Sequence, residues 1–407
     1  MGRRRLPFLA IACAATLFGF ACWGSAPTGS AQPGRLVYLP LDGFYTPPAA
    51  VPPVPGALVR SEKLTDRVLP PGSQAWRMMY TTTLPDGSPA TAVATVLAPL
   101  VPPPGPRPVI MWEHGTAGVE QRCMPSTVNR PFSGVPALDA VVQNGWVLVA
   151  TDYAANNQGV HPYLIEDGES RSAVDAVRAA RQMPELTLDS RTVAWGHSQG
   201  GQAALASGIF GPGYAPDVNL SGVAALAPAS NMAQIMAMHG GDPMAERLGA
   251  YLAAAFSQYY PDVQLDRIVP GNAQAIARRL AGLCLFDPDA LPALNDLAAQ
   301  LHGHPVLDPT SGTMGERLAQ NAPTAVINAP VVVVQGLADE VVYPSVNDAF
   351  VDQQCAAGQA LDYWRVPGRD HGGIVAPDSP ITGALVAWTQ DRLAGTPVSG
   401  CRRSTIG

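Results

Sequence analysis

The run Gly196-His197-Ser198-Gln199-Gly200 carries the clearest chemical signal in this 407-residue chain. A serine with glycine two positions away on either side suits a turn too tight for side chains at the outer positions. The hydroxyl held at its apex is placed to attack a carbonyl carbon. Alone the pattern is weak, because glycine and serine are frequent enough here to supply about 0.2 matches by chance. Its setting is more specific: an apolar strand expected at 192–195 runs into it, and a helix is expected to open at Gly200, with its N-terminal dipole favouring negative charge beside the serine. Ser198 is the candidate nucleophile, against the plainer reading of a turn serine.

A serine hydroxyl needs a base, and the base needs an acid to orient it. Asp339 falls in Gly336-Leu337-Ala338-Asp339-Glu340, directly after a strand expected at 331–335, and His371 falls in the glycine-flanked run Gly368-Arg369-Asp370-His371-Gly372-Gly373. Open α/β sheets gather reactive groups at such strand ends. Glu340 is the alternative acid, and Asp370 another if its loop folds back. Of the other histidines, His197 sits inside the turn and is expected to pack. His161 and His239 fall in expected loops or in the cap expected at 229–325, and His302 with His304 forms an H-x-H lacking a third ligand at a recognised metal spacing. The tetrahedral intermediate needs N–H donors for its oxyanion. The backbone of Gln199 is one candidate. The second is His114 or Gly115, in Glu113-His114-Gly115-Thr116 after a strand expected at 109–112, unless that segment is a plain strand-to-loop turn. This chemistry requires no metal and no organic cofactor.

Placing these groups takes a particular architecture. Apolar strands expected at 109–112, 146–151, 192–195, 223–227 and 331–335 alternate with helix-like stretches at 137–144, 169–183 and 200–209. A parallel sheet covered on both faces requires such alternation, so the class is α/β with a mostly parallel, doubly wound sheet. Upstream, two strand-like stretches between 76 and 98 flank Leu84-Pro85-Asp86-Gly87, a hairpin turn by composition. On the helix at 169–183, Val174, Val177 and Ala180 mark a buried face, and Arg171, Asp175, Arg178 and Arg181 a solvated one. The alternation stops between 229 and 325, where helix-like stretches at 244–259, 273–283 and 291–302 follow one another without a strand. That segment reads as a helical cap inserted between two sheet strands. Its Met232, Met236, Met238, Tyr251, Phe256 and Tyr259 suit either an apolar acyl site or the core of the cap. The chain divides into a signal at 1–31, a Pro-rich arm at 32–60, core segments at 61–228 and 326–407, and the cap at 229–325.

Composition narrows the classes. At 47 % hydrophobic and 14 % charged residues the chain is not disordered, and its 40 Gly and 41 Pro lack the period of collagen. A net charge of −7 and a single lysine, Lys63, argue against nucleic acid as a partner. Arg3, Arg4 and Arg5 precede an apolar run at 6–23 and small residues, an export signal with cleavage expected after Ala31; a retained anchor and lipid attachment at Cys22 are the alternatives. Downstream, Cys123, Cys284, Cys355 and Cys401 form an even set suited to an oxidising compartment. Their spacing leaves every pairing open, and free buried thiols as well.

Several segments taken together resemble the secretory lipase family of the yeast lipase A type: Asp42-Gly43-Phe44-Tyr45-Thr46-Pro47-Pro48, Pro55-Gly56 ahead of Leu58-Val59-Arg60, Trp112-Glu113-His114-Gly115-Thr116, the Ser198 turn, and the Asp339 and His371 loops. The order Ser198, Asp339, His371 is also that of the α/β-hydrolases. The resemblance implies an α/β-hydrolase fold whose helical cap carries a lid and an acyl tunnel. It implies a secreted lipase or esterase that cleaves carboxylic esters of glycerol through an acyl-enzyme, and disulfides Cys123–Cys284 and Cys355–Cys401. Two positions depart from the family: Gln199 stands where several members have glycine, and His114-Gly115 replaces an acidic residue followed by a small polar one. An acyltransferase or peptidase would use the same three residues, whereas a non-catalytic binding protein would have no use for them. The expected partner is an ester or lipid substrate, met by a monomer with transient contact at a lipid interface.

Overall fold

The computed structural model describes residues 35–407; the expected signal, with Cys13 and Cys22, lies outside them. Among the described residues ten strands make one sheet: β1 (Leu58–Leu64), β2 (Ser73–Thr83), β3 (Pro89–Pro99), β4 (Arg107–Glu113), β5 (Val147–Ala154), β6 (Leu188–His197), β7 (Asn219–Leu226), β8 (Val331–Gly336), β9 (Leu361–Val366) and β10 (Cys401–Thr405). Their spatial order is β1-β2-β3-β5-β4-β6-β7-β8-β9-β10. The first four in that order pair antiparallel and the rest run parallel from β5 to β10.

The strands' side chains alternate between two cores. Val109, Met111, Val149 and Ala194 face one side, while Ile110, Trp112, Leu148, Val193 and Trp195 face the other. Each such buried Val, Leu or Ile contributes about 2 kcal/mol of apolar transfer. The first face is covered by α2 (Glu166–Ala180) and α3 (Gln199–Tyr214), and the second by α1 (Leu138–Gln143) and a C-terminal helix, Ile381–Leu393. Trp195 Nε1 donates across the second core to Thr389 Oγ1 of that helix at 3.1 Å. This is the α/β-hydrolase architecture.

Between β7 and β8 lie six helices and no strand: α4 (Met232–His239), α5 (Pro243–Tyr259), α6 (Leu265–Ile268), α7 (Gln274–Ala281), α8 (Leu291–Ala299) and α9 (Gly312–Gln320). They pack within one unit spanning Leu36–Gly407. Tyr251 and Phe256 are fully buried, Met232, Met236 and Tyr259 are buried beside them, and Met238 is exposed. After β8 come α10 (Pro344–Ala356) and, after β9, the Ile381–Leu393 helix, α11. Cys123 is bonded to Cys284, joining the β4–α1 connection to the stretch after α7, and Cys355 of α10 to Cys401 of β10.

Four features differ from the sequence reading. β1 starts at Leu58, inside the expected arm, because the prolines end before it and an edge strand needs a partner on one side only. β9 and β10 were not expected; β10 is exposed along its whole length and is placed by backbone pairing with β9. Helices α4, α6, α9, α10 and α11 were also missed. Asp175 is buried, not solvated, because Thr82, Tyr214 and Arg178 each donate to its carboxylate.

Candidate active site

The register of the parallel strands decides which loops meet. Glu113 pairs with Gly196, His197 with Leu226, Leu226 with Val334 and Gly336 with Val366. The segments after β4, β6, β8 and β9 therefore leave the sheet along one rim, which carries His114, Ser198, Asp339 and His371.

Ser198 adopts φ 59°, ψ −119°, a conformation that costs a non-glycine residue of order 1–3 kcal/mol. The turn is held from several sides: Ser198 N–H donates to Leu226 O at 2.9 Å, and Gln202 and Ala229 N–H donate to Ser198 O at 3.1 Å. The flanking glycines follow from contact distances. A Cβ at Gly196 would lie 1.8 Å from Gly200 O, and one at Gly200 1.9 Å from Glu113 O. Across the rim, a Cβ at Gly115 would lie 3.4 Å from Ser198 Cβ, so the loop after β4 borders the serine.

Asp339 and His371 are brought together: Nδ1 of His371 lies 2.8 Å from Asp339 Oδ2. The aspartate is buried, and its Oδ1 accepts the N–H groups of Val341 at 2.9 Å and Val342 at 2.8 Å, while Gln335 Nε2 donates to Oδ2 at 3.2 Å. Burial works against the carboxylate, but the His371 hydrogen bond and charge and the two backbone donors outweigh it and hold its pKa below the ordinary value. Glu340 is exposed, and Asp370 Oδ1 accepts Gly373 N–H at 2.7 Å within its own loop.

His197 does more than pack. Burial, reinforced by the charge of His371, depresses its pKa to about 3, so the ring is neutral. Its Nε2 donates to the His371 carbonyl at 2.9 Å, and the two rings lie 4.6 Å apart. The residue preceding Ser198 thus tethers the loop of the candidate base to the turn. Sequence reasoning missed this because the acceptor is a backbone oxygen far along the chain. His239 was missed for a similar reason. It closes α4 against the Asp339 loop, with Nε2 2.8 Å from Val341 O and Nδ1 2.7 Å from Asp242 Oδ2.

In the β4 loop, burial depresses the pKa of His114 to about 4, and its Nδ1 lies 2.7 Å from Gly115 O. Tyr153 donates to His114 O at 3.2 Å, and its ring centroid lies 4.7 Å from that of His114. His161 is a core residue with Nε2 2.9 Å from Gly118 O and a pKa held to about 3, first by burial. His302 and His304 are exposed. A cleft of about 310 Å³ lies at another place, lined by Pro85, Glu166, Phe210, Tyr259, Tyr260 and Asn321 among others; none of the rim residues above lines it. A strained serine beside an N–H-bearing loop, with an Asp–His pair tethered to the same turn, is an arrangement suited to acyl transfer.

Residues 135–400 match the family described as secretory lipase. A "probable inactive lipase" of Mycobacterium tuberculosis is 26 % identical over 386 residues, covering 89 % of this chain and 84 % of the relative. A secreted triacylglycerol lipase of Malassezia globosa is 25 % identical over 394 residues, covering 89 % and 83 %. Among solved structures, Candida antarctica lipase A in its closed state superposes with a TM-score of 0.72 at 19 % identity, covering 90 % of this chain and 89 % of that one.

Proposed function

The chain belongs to the secretory lipase family and is a carboxylic ester hydrolase of it; from that premise we propose that it cleaves acylglycerols or related esters outside the cell through Ser198, His371 and Asp339. His371 Nε2 takes the hydroxyl proton as Ser198 Oγ attacks the ester carbonyl, and Asp339 fixes the Nδ1–H tautomer and stabilises the imidazolium. The N–H of Gln199, with that of Gly115 or His114, receives the oxyanion. His371 then protonates the leaving alcohol, and a water activated by the same ring releases the acid and restores Ser198.

One observation carries this reading: the 2.8 Å Asp339–His371 contact is tied, through His197, to the turn that strains Ser198. It matters here because one relative bears the name of an inactive lipase, so family membership alone does not assign the residues. The helices between β7 and β8 act as the cap over the acyl group, and residues 1–31 as the export signal.

A fluorophosphonate probe tests the assignment. Labelling of the wild type and its loss in Ser198→Ala are expected; an unlabelled wild type that still hydrolyses esters would refute it. A chain-length series of p-nitrophenyl esters, with and without an oil–water interface, then separates lipase from esterase. Turnover confined to acetate, with no gain at the interface, would remove the acylglycerol substrate and leave the hydrolase.

A further inference from the structure

Beneath the Ser198 turn lies a buried carboxyl that the chemistry above does not use. Glu169, in the first turn of α2, has no exposed surface. Its Oε1 accepts two hydrogen bonds, from Leu164 N–H at 2.9 Å and from the side-chain Nε2 of Gln199 at 2.5 Å. Gln199 is itself buried, and its Oε1 has no partner among the described residues, so Glu169 is what anchors that side chain. Gln199 directly follows Ser198 and opens α3. Its backbone N–H is the candidate oxyanion donor, and a donor's contribution falls steeply as its angle departs from linear. A buried acid is a poor device for stability, since an apolar side chain of similar volume often does as well or better. Burial also pushes the Glu169 pKa up to about 8, so in neutral solution it accepts these bonds mainly as the neutral acid.

We propose that Glu169 is a positioning residue for the oxyanion donor: by holding the Gln199 side chain against α2, it fixes the first turn of α3 and with it the direction of the Gln199 N–H. The proposal rests on the reading of Ser198 as nucleophile. Ser198, Gly196 and Gly200 are already constrained by backbone contacts. Of the two side chains in this turn that reach another element, His197 holds the His371 loop, whereas Gln199 reaches α2.

The test compares Glu169→Met, Glu169→Gln, Gln199→Met and the double Glu169→Met/Gln199→Met variant. The readouts are kcat and KM on p-nitrophenyl butyrate, affinity for an alkyl boronic acid that forms a tetrahedral adduct on the serine, and melting temperature. Glu169→Met and Gln199→Met are each expected to lower kcat by about tenfold with KM within about twofold, less than deletion of a whole oxyanion donor. Boronic acid affinity should fall by the same factor. The double variant should be no worse than the poorer single, because both cut one link. Glu169→Gln keeps an acceptor oxygen and should restore most of the activity. Unchanged kcat in Gln199→Met, additive losses, or a Glu169→Gln variant as impaired as Glu169→Met would each overturn the proposal. If Glu169→Met does not fold, Gln199→Met decides it alone. A wild type unlabelled by fluorophosphonate would remove both this proposal and the reading beneath it, whereas normal labelling with unchanged kcat in the variants removes this proposal only.

Discussion

The Ser198 turn and the helices between β7 and β8 constrain their sequences in opposite ways. In the turn the requirement falls on single atoms: Gly196, Gly200 and Gly115 approach other backbone so closely that a methyl group is excluded or compressed. In the inserted segment it falls on total apolar volume, with Leu252, Phe256, Leu280 and Leu294 buried in one cluster where one hydrophobe substitutes for another at modest cost. A site that must hold a strained serine leaves a residue-by-residue signature. A packed cluster of helices leaves only a composition.

The contrast is broken most severely by Gly200→Ala. Its Cβ would lie 1.9 Å from Glu113 O, backbone that cannot swing away, so soluble folded protein should be lost or activity reduced more than about 1000-fold. Expression, circular dichroism and esterase rate check this, and a folded, active variant would mean the turn is looser than described. Asp339→Asn should leave the fold intact and lower kcat by about 10⁴-fold, because an amide no longer selects the Nδ1–H tautomer of His371. Retention of more than about a tenth of the wild-type rate would move the acid elsewhere, with Glu340 the next to test. Cys284→Ser together with Cys123→Ser frees the insertion from the β4–α1 connection and should lower stability by about 2–5 kcal/mol in denaturant melts. Phe256→Leu in α5 sharpens the comparison from the tolerant side. A loss of about 1–2 kcal/mol is expected with kcat within about twofold, so a collapse like that of Gly200→Ala would erase the distinction.

How much of this was legible follows the same division. Ser198 with its glycines and Asp339 could be picked out because each follows an apolar run that marks a strand end, and His371 because it lies in a glycine-flanked run downstream of both. The His197 tether was not, since its acceptor is the backbone of His371, and a histidine inside a turn looks like packing until that loop is placed. Glu169 read as the opening of an amphipathic helix; its burial depends on Gln199, thirty residues on and in another element. β10 is five exposed residues that look like a polar tail, and only the pairing with β9 and the bond to Cys355 give it a place. Asp175 fell on the apparent solvent face because a helical wheel ignores Thr82 and Tyr214, which arrive from β2 and α3.

Acid–base behaviour gives the smallest expected effect. His114, His161 and His197 are held neutral with pKa values near 4, 3 and 3, so below about 6.5 the unfolded chain binds protons that the folded chain refuses, and stability falls on acidification. Asp152, Glu166 and Glu169 are raised, first by burial, to about 7, 8 and 8. They stay protonated in the folded chain while the unfolded chain releases protons above about 4, so stability falls as pH rises toward 8. The two groups oppose each other between about 4.5 and 6.5, where the melting temperature should peak. A maximum at pH 9 would mean that these side chains are not buried as described.

In the proposed mechanism Ser198 carries the acyl group between the two half-reactions. Acid-quenching a reaction with p-nitrophenyl butyrate during turnover, digesting the protein and mapping the butyryl group by mass spectrometry tests it directly. The acyl group is expected on Ser198, accumulating when water is partly replaced by cosolvent and absent from Ser198→Ala. A butyryl group on another residue, or none during continuing turnover and through that change of solvent, would contradict the account.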